Sequence, residues 1–385
     1  MHRMEQKKLK IAMLGHKRIP SREGGIEVVV EELATRMVKI GHDVTCYNRK
    51  GHHIAGKEFD IAHPRVYKGI RIKHVATINR RGLAAVTSSI SAAFCAAFGD
   101  YDVVHFHAEG PAFMCWLPKL FGKRILVTVH GLDHQRAKWG KLAQTYILLG
   151  EKSAVKYADD IIVLSENIRR YFQDTYGRNT RFIPNGVNRS QNCPAEVIRS
   201  ELGLEKDSYI LFLGRIVPEK GLCYLIEAFK KVKTDKRLVI AGGSSDMDAF
   251  MSELMQTAAE DERILFTGFV QGQMLEELYS NAYVYTLPSD LEGMPISLLE
   301  AMSYGNCCVV SDIPECTEVV EDVGVVFRRG SVEDLKTKLQ MLCDNVDMVA
   351  GYKAAAADFI CKKYNWDDIV EKTLQLYSTK QDTER

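Results

Sequence analysis

Short apolar runs alternate with segments of helical periodicity along almost the whole chain. The run IAMLG at residues 11–15 is followed by an amphipathic helical pattern that ends at Gly41, and VTCYN at residues 44–48 comes next. Later apolar runs, at residues 103–107, 125–130 and 161–165, are again separated by helical patterns. Such alternation is typical of a parallel sheet covered by helices on both faces. The sequence therefore predicts an α/β protein with doubly wound parallel sheets.

The alternation is interrupted once, near the middle of the chain. Residues 183–194 are rich in Pro, Gly, Asn and Ser, as expected of a linker. Five further apolar runs follow between residues 209 and 311. A chain of 385 residues exceeds the roughly 100–200 residues of a usual domain. We predict two Rossmann-like domains, residues 1–187 and 188–363, followed by a helical segment at residues 364–385.

The composition, 46% hydrophobic and 26% charged, is that of an ordinary soluble globular protein. No apolar run reaches the roughly 18 residues that a membrane-spanning helix needs. The basic start leads into a short apolar run, which we interpret as a buried strand rather than a signal peptide. The ten cysteines show no CxxC pair and neither metal-ligand nor disulfide spacing. We therefore expect reduced thiols and a cytoplasmic protein.

The two halves of the chain carry opposite charge. Residues 1–190 contain 31 Lys and Arg against 17 Asp and Glu, a net charge of +14, and the remainder contains 20 against 33, a net charge of −13. All eleven histidines precede residue 135. A basic half favours an anionic membrane, a nucleic acid or a phosphorylated substrate as partner, although opposite charges also help two domains to associate.

Ligands of open α/β sheets bind beyond the carboxyl ends of the strands, so the residues that follow each strand are the first candidates. After the first strand, a basic loop leads to Gly24 and Gly25 at a helix start, where backbone N–H groups can meet an anion. In the second half, Arg215 and Lys220 flank a proline turn before a helix, and two such cations suit a diphosphate. A flexible turn and a solvated loop with incidental charges are the alternatives.

The segment SDLEGMPIS, residues 289–297, precedes a helix that we predict to begin near Pro295. Gly293 and Met294 would offer backbone N–H groups there. Glu292 either complements the helix dipole or binds a sugar. Glu300 lies in the apolar run ISLLEAM, where an unpaired carboxylate is costly, so it requires a hydrogen-bond donor. That donor is either a local structural partner or the hydroxyls of a ribose.

The strand at residues 125–130 ends at His130, and its place on the ligand side favours a site role for this side chain. Polar residues that follow it are Asp133, His134, Arg136 and Lys138. His105 and His107 alternate on one strand and therefore share a face, which either a site or buried hydrogen bonds would explain. The DMD segment at residues 246–248 precedes a helix, so we interpret it as an N-cap rather than a metal site.

Three segments of the second half, GRIVPEKG at residues 214–221, TGFV at 267–270 and EGMPISLLE at 292–300, together resemble glycosyltransferase family 4. Its members are retaining enzymes of GT-B architecture, and the last segment fits their E-x7-E pattern. The first half, through the segments at residues 15–49 and 130–139, is similar to a bacterial subgroup that includes rhamnosyltransferases of polysaccharide assembly. The resemblance implies two Rossmann-like domains that face each other across a cleft, with C-terminal helices crossing back to the first domain.

Carried over residue by residue, the resemblance assigns the donor diphosphate to Arg215 and Lys220, the nucleotide ribose to Glu300 and the transferred sugar to Glu292. His130 would face the donor sugar and complete the predicted catalytic set with Arg215, Lys220 and Glu292.

Further donor-binding positions are Gly24, Gly25, Phe269, Val270, Gly293, Met294 and Pro295, with Phe269 and Val270 near the base. Candidate acceptor contacts are His107, Asp133 and Arg136. The resemblance implies neither a metal ion nor a cofactor. Ile26 departs from the subgroup, whose members often carry an aromatic residue after the glycine pair.

The activity implied by the resemblance is transfer of a hexose or deoxyhexose, with rhamnose as a candidate, from a nucleoside-diphosphate sugar to a saccharide acceptor. The basic first half suggests a polyprenyl-diphosphate-linked acceptor at the inner face of the membrane. We expect no nucleic-acid partner. Arg80 and Arg81 before the apolar segment Leu83–Phe98 form one candidate membrane contact, although we favour a core helix there. The alternatives are a non-catalytic nucleotide-sugar-binding partner and a GT-B epimerase or phosphorylase.

Overall fold

The computed structural model describes residues 7–52, 64–80, 82–136, 139–243 and 248–378. The chain forms two compact units, one made of Met1–Asn185 and Trp366–Arg385 and the other of Gly186–Asn365. Both divisions lie within two residues of the boundaries expected from the sequence, at 187/188 and 363/364.

An eight-stranded sheet forms the centre of the first unit, in the order β3-β4-β2-β1-β5-β6-β7-β8. Its strands are β1 (Lys10–Leu14), β2 (Asp43–Arg49), β3 (Val66–Tyr67), β4 (Ile70–Val75), β5 (Val103–His107), β6 (Arg124–Val129), β7 (Asp160–Val163) and β8 (Arg181–Phe182). All neighbours are parallel except β3 and β4. Strand β5 is buried at every residue, as expected of a parallel sheet covered on both faces.

The sequence pattern predicts five of these strands and misses β3, β4 and β8. Strands β3 and β8 contain two residues each, which is too few to show a period. Strand β4 has the sequence IRIKHV, in which buried and exposed positions largely alternate, because it lies near the edge of the sheet.

Helices of the first unit are α1 (Gly25–Lys39), α2 (Leu83–Ala97), α3 (Glu109–Ala112), α4 (Trp116–Leu120), α5 (Lys141–Tyr157), α6 (Glu166–Tyr176) and α15 (Trp366–Ser378). Helix α1 begins at Gly25, as the glycine pair predicts, and Val29, Leu33 and Met37 form its buried stripe with a spacing of four. Helix α15 belongs to the first unit although it ends the described chain, as the family resemblance implies.

Specific contacts attach α15 to the first unit. The Tyr377 hydroxyl lies 2.7 Å from Nδ1 of His105 on β5, and Nε of Arg124 donates to the carbonyl oxygen of Leu376 at 2.7 Å. Tyr377 is 3% exposed, so its ring is part of the core. The last described helix therefore completes the first unit by filling a place next to its central strands.

The second unit has a six-stranded sheet in the order β11-β10-β9-β12-β13-β14, and all of its pairs are parallel. Its strands are β9 (Tyr209–Leu213), β10 (Arg237–Ala241), β11 (Ile264–Gly268), β12 (Val284–Leu287), β13 (Cys307–Ser311) and β14 (Val325–Phe327). Its helices are α7 (Val197–Leu202), α8 (Leu222–Phe229), α9 (Asp248–Ala258), α10 (Gly272–Asn281), α11 (Ile296–Ser303), α12 (Pro314–Val320), α13 (Val332–Asp344) and α14 (Val346–Lys363). Only the three-residue β14 lacks a predicted counterpart.

Each sheet has one position at which the strand order reverses, between β1 and β5 in the first unit and between β9 and β12 in the second. Loops that leave neighbouring strands in opposite directions at such a position open a crevice at the carboxyl edge, which is where ligands of this class of fold bind. The two reversals therefore select two small sets of loops as candidate sites. None of the described helices is both long and apolar enough to cross a membrane.

Candidate functional site

The loops that follow β9 and β12 are in direct backbone contact at Gly221. This residue has φ +67°, and a Cβ atom placed on it would lie 2.0 Å from the carbonyl oxygen of Pro288. Only glycine satisfies both conditions. The backbone N–H of Asp290 donates to the carbonyl oxygen of Glu219 at 2.8 Å, which joins the same two loops. The predicted diphosphate loop and the segment SDLEGMPIS are thus held together at the strand reversal of the second unit.

Lys220 and Glu292, which are 72 residues apart in sequence, form an ion pair at this junction. Nζ of Lys220 donates to Oε1 of Glu292 at 2.5 Å, and Oγ of Ser289 donates to the same oxygen at 2.6 Å. Both members of the pair are 9% exposed. A buried charge without a partner is strongly destabilising, so each side chain depends on the other. Glu292 therefore does more than complement the dipole of α11.

Glu300 lies on α11, whose N-cap is Pro295, as predicted. Its helix neighbours Leu298, Leu299 and Ala301 are fully buried, whereas Glu300 keeps part of its surface exposed. The hydroxyl of Tyr279 lies 3.4 Å from Oε2 of Glu300. A carboxylate that keeps contact with water avoids most of the cost of burial, which explains how the apolar run ISLLEAM accommodates it. Its role toward a ribose stays a prediction.

The remaining donor-binding residues of the second unit lie at the same edge of the sheet. Arg215 follows the end of β9 by two residues and is partly buried. Phe269 and Val270 directly follow β11, two strands from β9. Residues 293–295 lie between β12 and α11 and are buried. The structure thus collects Arg215, Lys220, Glu292 and residues 293–295 around one strand reversal, with Phe269 and Val270 to one side.

At the strand reversal of the first unit, the ends of β1 and β5 are in close contact. A Cβ atom on Gly15, which has φ +107°, would lie 2.1 Å from the carbonyl oxygen of His107. His107 Nδ1 lies 3.1 Å from His130 Nε2, and the rings of His105 and His107 are 4.2 Å apart. The shared face predicted for His105 and His107 is confirmed. His105 is a hydrogen-bonded core residue, because its ring nitrogens lie 2.7 Å from the hydroxyls of Tyr377 and Thr128.

Burial controls the charge of these histidines. It lowers the pKa of His130 to about 4 and the pKa of His105 to about 3. The pKa of His107 lies well below the ordinary value for the same reason, with the neighbouring histidines adding to the effect. All three are therefore neutral at pH 7, and His130 can exchange hydrogen bonds with a sugar hydroxyl without adding positive charge.

The N-terminus of α1 already faces a carboxylate of this chain. A Cβ on Gly24 would lie 2.9 Å from Oε2 of Glu27, and Oε1 of Glu27 accepts a hydrogen bond from the backbone of Lys17 at 2.8 Å. Glu23 also binds the basic loop, at 3.3 Å from Lys17 Nζ and 3.2 Å from Arg18 Nε. The charges of this loop are thus partly neutralised internally. The roles of Gly24 and Gly25 toward the donor stay predictions.

Asp133 and Arg136, two of the candidate acceptor contacts, form an ion pair with a distance of 2.7 Å between Oδ1 and Nε. The backbone N–H of Asp133 also donates to Glu109 Oε2 at 2.8 Å. Both side chains are partly exposed beyond the end of β6. Lys138, Arg81 and Asp246 lie outside the described residues, and so does the side chain of Asp248.

Sequence reasoning missed Arg49, which ends β2 and lies at the same edge as His16 and His130. Nη2 of Arg49 donates to the carbonyl oxygen of Gly15 at 3.4 Å, and burial lowers the pKa of the guanidinium. The same rule that selected the residues after β1 would have selected Arg49 if it had been applied to β2. A buried group formed by Glu109, His134 and Glu151 was also missed, because its members come from three separate segments.

Two family models match consecutive parts of the chain. The model described as "Glycosyltransferase Family 4" matches residues 23–191, and the one described as "Glycosyl transferases group 1" matches residues 195–359. Among curated relatives, the alpha-maltose-1-phosphate synthase of Mycolicibacterium smegmatis is 27% identical, with 96% of this chain and 99% of the relative covered. The two halves of the match meet near the division between the two units.

Solved structures share the fold at lower identity. The sucrose-phosphate synthase of Thermosynechococcus elongatus superposes with a TM-score of 0.79 at 22% identity, covering 96% of this chain and 98% of that one. The Anabaena protein HepE, solved in complex with UDP and glucose, superposes with a TM-score of 0.80 at 17% identity, covering 96% of this chain and 99% of that one. At these identities the likeness concerns the fold, which is the GT-B architecture with two parallel-sheet α/β domains.

Proposed function

The chain belongs to the family 4 glycosyltransferases, and from this premise we propose that it transfers a hexose or deoxyhexose, with rhamnose as a candidate, to a lipid-linked saccharide acceptor in cell-surface polysaccharide synthesis. Its donor is a nucleoside-diphosphate sugar, and transfer retains the anomeric configuration without a metal ion or a cofactor. The observation that carries the proposal is the buried pair of Lys220 and Glu292 at the strand reversal of the second unit.

This pair can bind both parts of a donor at once. An ammonium group has three N–H donors, and Lys220 uses one of them on Glu292, so two remain for oxygens of the diphosphate. Oε1 of Glu292 is occupied by Lys220 and Ser289, whereas a carboxylate has further lone pairs that accept sugar hydroxyls. The pair therefore fits the boundary between the diphosphate and the sugar, where the scissile bond lies.

Negative charge develops on the leaving diphosphate as the bond to the sugar breaks. Lys220, Arg215 and the backbone N–H groups at the start of α11 stabilise that charge, because they are fixed before the reaction begins. The acceptor hydroxyl attacks from the face that the leaving group departs from, and a leaving phosphate oxygen takes its proton. No protein nucleophile is needed. Glu300 binds the ribose, and Phe269 and Val270 lie near the base.

The first unit binds the acceptor. Arg49, Asp133 and Arg136 supply charged groups at its carboxyl edge, and His107 supplies a neutral imidazole. Cationic groups suit the diphosphate of a lipid-linked acceptor, and uncharged hydrogen-bonding groups suit sugar hydroxyls. A cationic acceptor site in the first unit agrees with the net charge of +14 on residues 1–190.

An exposed apolar surface in the first unit supports peripheral membrane binding. Helix α2 buries an alanine face, as we favoured, but Phe98 after its end is 68% exposed, and Leu120 of α4 is 72% exposed. The rings of Phe98 and Phe121 are 4.6 Å apart, and Leu120 directly precedes Phe121 in the chain. Large apolar side chains next to basic residues bind anionic bilayers.

Vesicle flotation tests the membrane part of the proposal. The chain should float with vesicles of anionic lipid at low salt, and the double variant Phe98→Ser with Leu120→Ser should float several-fold less. Val346→Ser, which changes a 64% exposed residue of the second unit, is the matched control. Failure of the unchanged protein to bind at low salt would remove the membrane from the proposal and leave the transfer reaction intact.

A donor screen tests the reaction itself. Nucleoside-diphosphate sugars are offered one at a time with lipid-linked acceptors, and release of nucleoside diphosphate is measured together with the glycosylated product. We expect release that depends on both substrates. Thermal stabilisation by a nucleotide without turnover would instead support a non-catalytic binding partner, and interconversion of free nucleotide sugars would indicate an epimerase. Phosphate consumption would indicate a phosphorylase.

A further inference from the structure

Two carboxylate side chains and one imidazole side chain, from three separate segments, lie together inside the first unit. Glu109 opens α3 directly after β5, His134 lies in the short 3-10 helix Asp133–Gln135 after β6, and Glu151 lies in α5. Helix α5 reaches Glu109 because it carries Gly150, where a Cβ would lie 2.0 Å from the carbonyl oxygen of Glu109. The close backbone approach of Gly150 to Glu109 therefore places Glu151 beside Glu109.

Each carboxylate has one oxygen in use and one aimed inward. Oε2 of Glu109 accepts the backbone N–H of Asp133, and Oε1 of Glu151 accepts the hydroxyls of Tyr171 at 2.8 Å and Tyr176 at 2.5 Å. Their other oxygens, Oε1 of Glu109 and Oε2 of Glu151, make no hydrogen bond to any residue that the structure describes. Glu109 is 1% exposed and Glu151 is 0% exposed, so water outside the protein does not reach them.

The separations within the group discriminate between a hydrogen-bonded cluster and a set of metal ligands. Nδ1 of His134 lies 3.9 Å from Glu109 Oε1 and 3.5 Å from Glu151 Oε2, and the three atoms all lie within 4.8 Å of one another. Charge-assisted N–H···O bonds measure about 2.7–2.9 Å. Ligand atoms at about 2.0–2.2 Å from a tetrahedral zinc ion lie roughly 3.3–3.6 Å apart. The two separations from His134 are closer to the second case.

We propose that Glu109, His134 and Glu151 bind a divalent transition-metal ion, with Zn²⁺ as the best match to one imidazole nitrogen and two carboxylate oxygens. Two carboxylates and a neutral imidazole balance the charge of the ion, and a water molecule supplies the fourth ligand. The tyrosine hydroxyls and the N–H of Asp133 orient the two carboxylates, as outer hydrogen bonds do at metal centres.

The consequence of binding is structural. The three ligands come from the segment after β5, the segment after β6 and helix α5, so the ion adds a common link between elements that already pack against one another. The loop between His130 and Arg136 then has a fixed shape, and this loop carries the proposed acceptor contacts. The site is distinct from the Lys220–Glu292 pair, which belongs to the other unit, and it does not alter the proposal that transfer itself needs no metal.

Metal titration of the full chain tests this proposal. The protein, without a histidine tag and with Cys95→Ser and Cys223→Ser to remove exposed thiols, is stripped with chelator and titrated with Zn²⁺ in a calorimeter. We expect one Zn²⁺ per chain and a higher melting temperature. Co²⁺ in the same protein should give the strong visible absorption of a tetrahedral site.

Variants separate this site from incidental binding. His134→Gln should weaken Zn²⁺ binding at least about 100-fold while the far-ultraviolet circular dichroism stays native, since His134 keeps part of its surface exposed. Glu151→Gln should do the same where it folds. Glu166→Gln, on a partly exposed glutamate of α6 that pairs with Arg169, is the matched control and should bind normally.

Two results would overturn the proposal. One is a stripped protein that takes up no stoichiometric Zn²⁺, which would leave the group as an imidazolium between two carboxylates. The other is His134→Gln binding as tightly as the unchanged protein, which would place the ion elsewhere.

Discussion

The roles inferred for Glu292 and Lys220 depend on the contact between their side chains. In sequence, each is one charge in a loop, and each has an ordinary explanation as a solvated side chain or a dipole partner. In the structure they are 9% exposed and joined at 2.5 Å. Burying an ion pair gives little net stability, and hydrophobic residues of the same volume are often at least as stabilising. Its presence at the carboxyl edge therefore favours a role in binding.

Removing either of two charged groups tests the donor site. We expect Lys220→Ala and Glu300→Ala each to lower turnover at least about 100-fold. Lys220→Ala removes a charge contact made in the transition state, and Glu300→Ala removes the ribose contact that positions the donor for the reaction. Steady-state kinetics with the donor found in the screen measures this. Lys231→Ala, on a surface lysine paired with Glu333, is the control and should retain full turnover. Near-normal turnover of both Lys220→Ala and Glu300→Ala would refute the site.

At the scale of elements, the loop after β9 owes its position to one glycine. Gly221 and Gly203 have nearly the same backbone conformation, with φ +67° and +62°, but only Gly221 has a neighbouring backbone where its side chain would lie. Substitutions at Gly203 and Gly221 can therefore be compared: both introduce a strained left-handed residue, but only the substitution at Gly221 also displaces the loop after β12.

Alanine at the two glycines should have different effects. Gly203→Ala should cost about 1 kcal/mol of unfolding free energy, the usual penalty of a left-handed residue, and leave turnover unchanged. Gly221→Ala must also move the loop of Pro288, and we expect at least a 10-fold loss of turnover. Circular dichroism during urea unfolding and steady-state kinetics measure the two effects. Full activity in Gly221→Ala would show that the junction of the two loops is not needed.

Helix α15 is held by a buried hydrogen bond as well as by packing. Tyr377→Phe removes the hydroxyl 2.7 Å from His105 Nδ1 and leaves that nitrogen unpaired, which should cost about 1–3 kcal/mol. Tryptophan fluorescence during urea unfolding measures the change, since Trp116, Trp139 and Trp366 all belong to the first unit. Tyr157→Phe in the same unit is the control, with an expected change within about 0.5 kcal/mol. Equal stability of both variants would exclude the hydrogen bond as a support.

At the scale of the whole molecule, the two units differ in their response to acid. All eleven histidines precede residue 135 and therefore belong to the first unit. Burial lowers the pKa of His16 and His130 to about 4, whereas an unfolded histidine titrates at about 6.5. Between these values the unfolded chain binds more protons than the folded one, so stability falls as the pH decreases through this window.

Acid should thus destabilise the first unit selectively. His16 alone accounts for about 2 kcal/mol at pH 5 relative to pH 7.5. Urea unfolding followed by tryptophan fluorescence should show a lower midpoint at pH 5, and His16→Asn should reduce the difference. An unchanged midpoint would mean that these histidines are accessible to protons in the folded protein.

Local patterns were sufficient for the class of the molecule and for most of its strands. Apolar runs indicate strands that are buried on both faces, and segments of helical periodicity indicate the helices that cover the sheet. The α/β class, the start of α1 at Gly25 and the start of α11 after Pro295 could therefore be predicted from the sequence. The spacing of Glu292 and Glu300 also indicated the family, because it is contained in one short segment.

Strand order and long-range pairing were decided only by the tertiary structure. A one-dimensional pattern carries no information about which strands become neighbours, and the reversal between β9 and β12 is what brings Lys220 to Glu292. The same reason explains why Glu109, His134 and Glu151 could not be recognised as one group, since their meeting depends on the close approach of α5 at Gly150. Local sequence patterns specify the elements and the residue types at their ends, and the packing of those elements brings particular charges together.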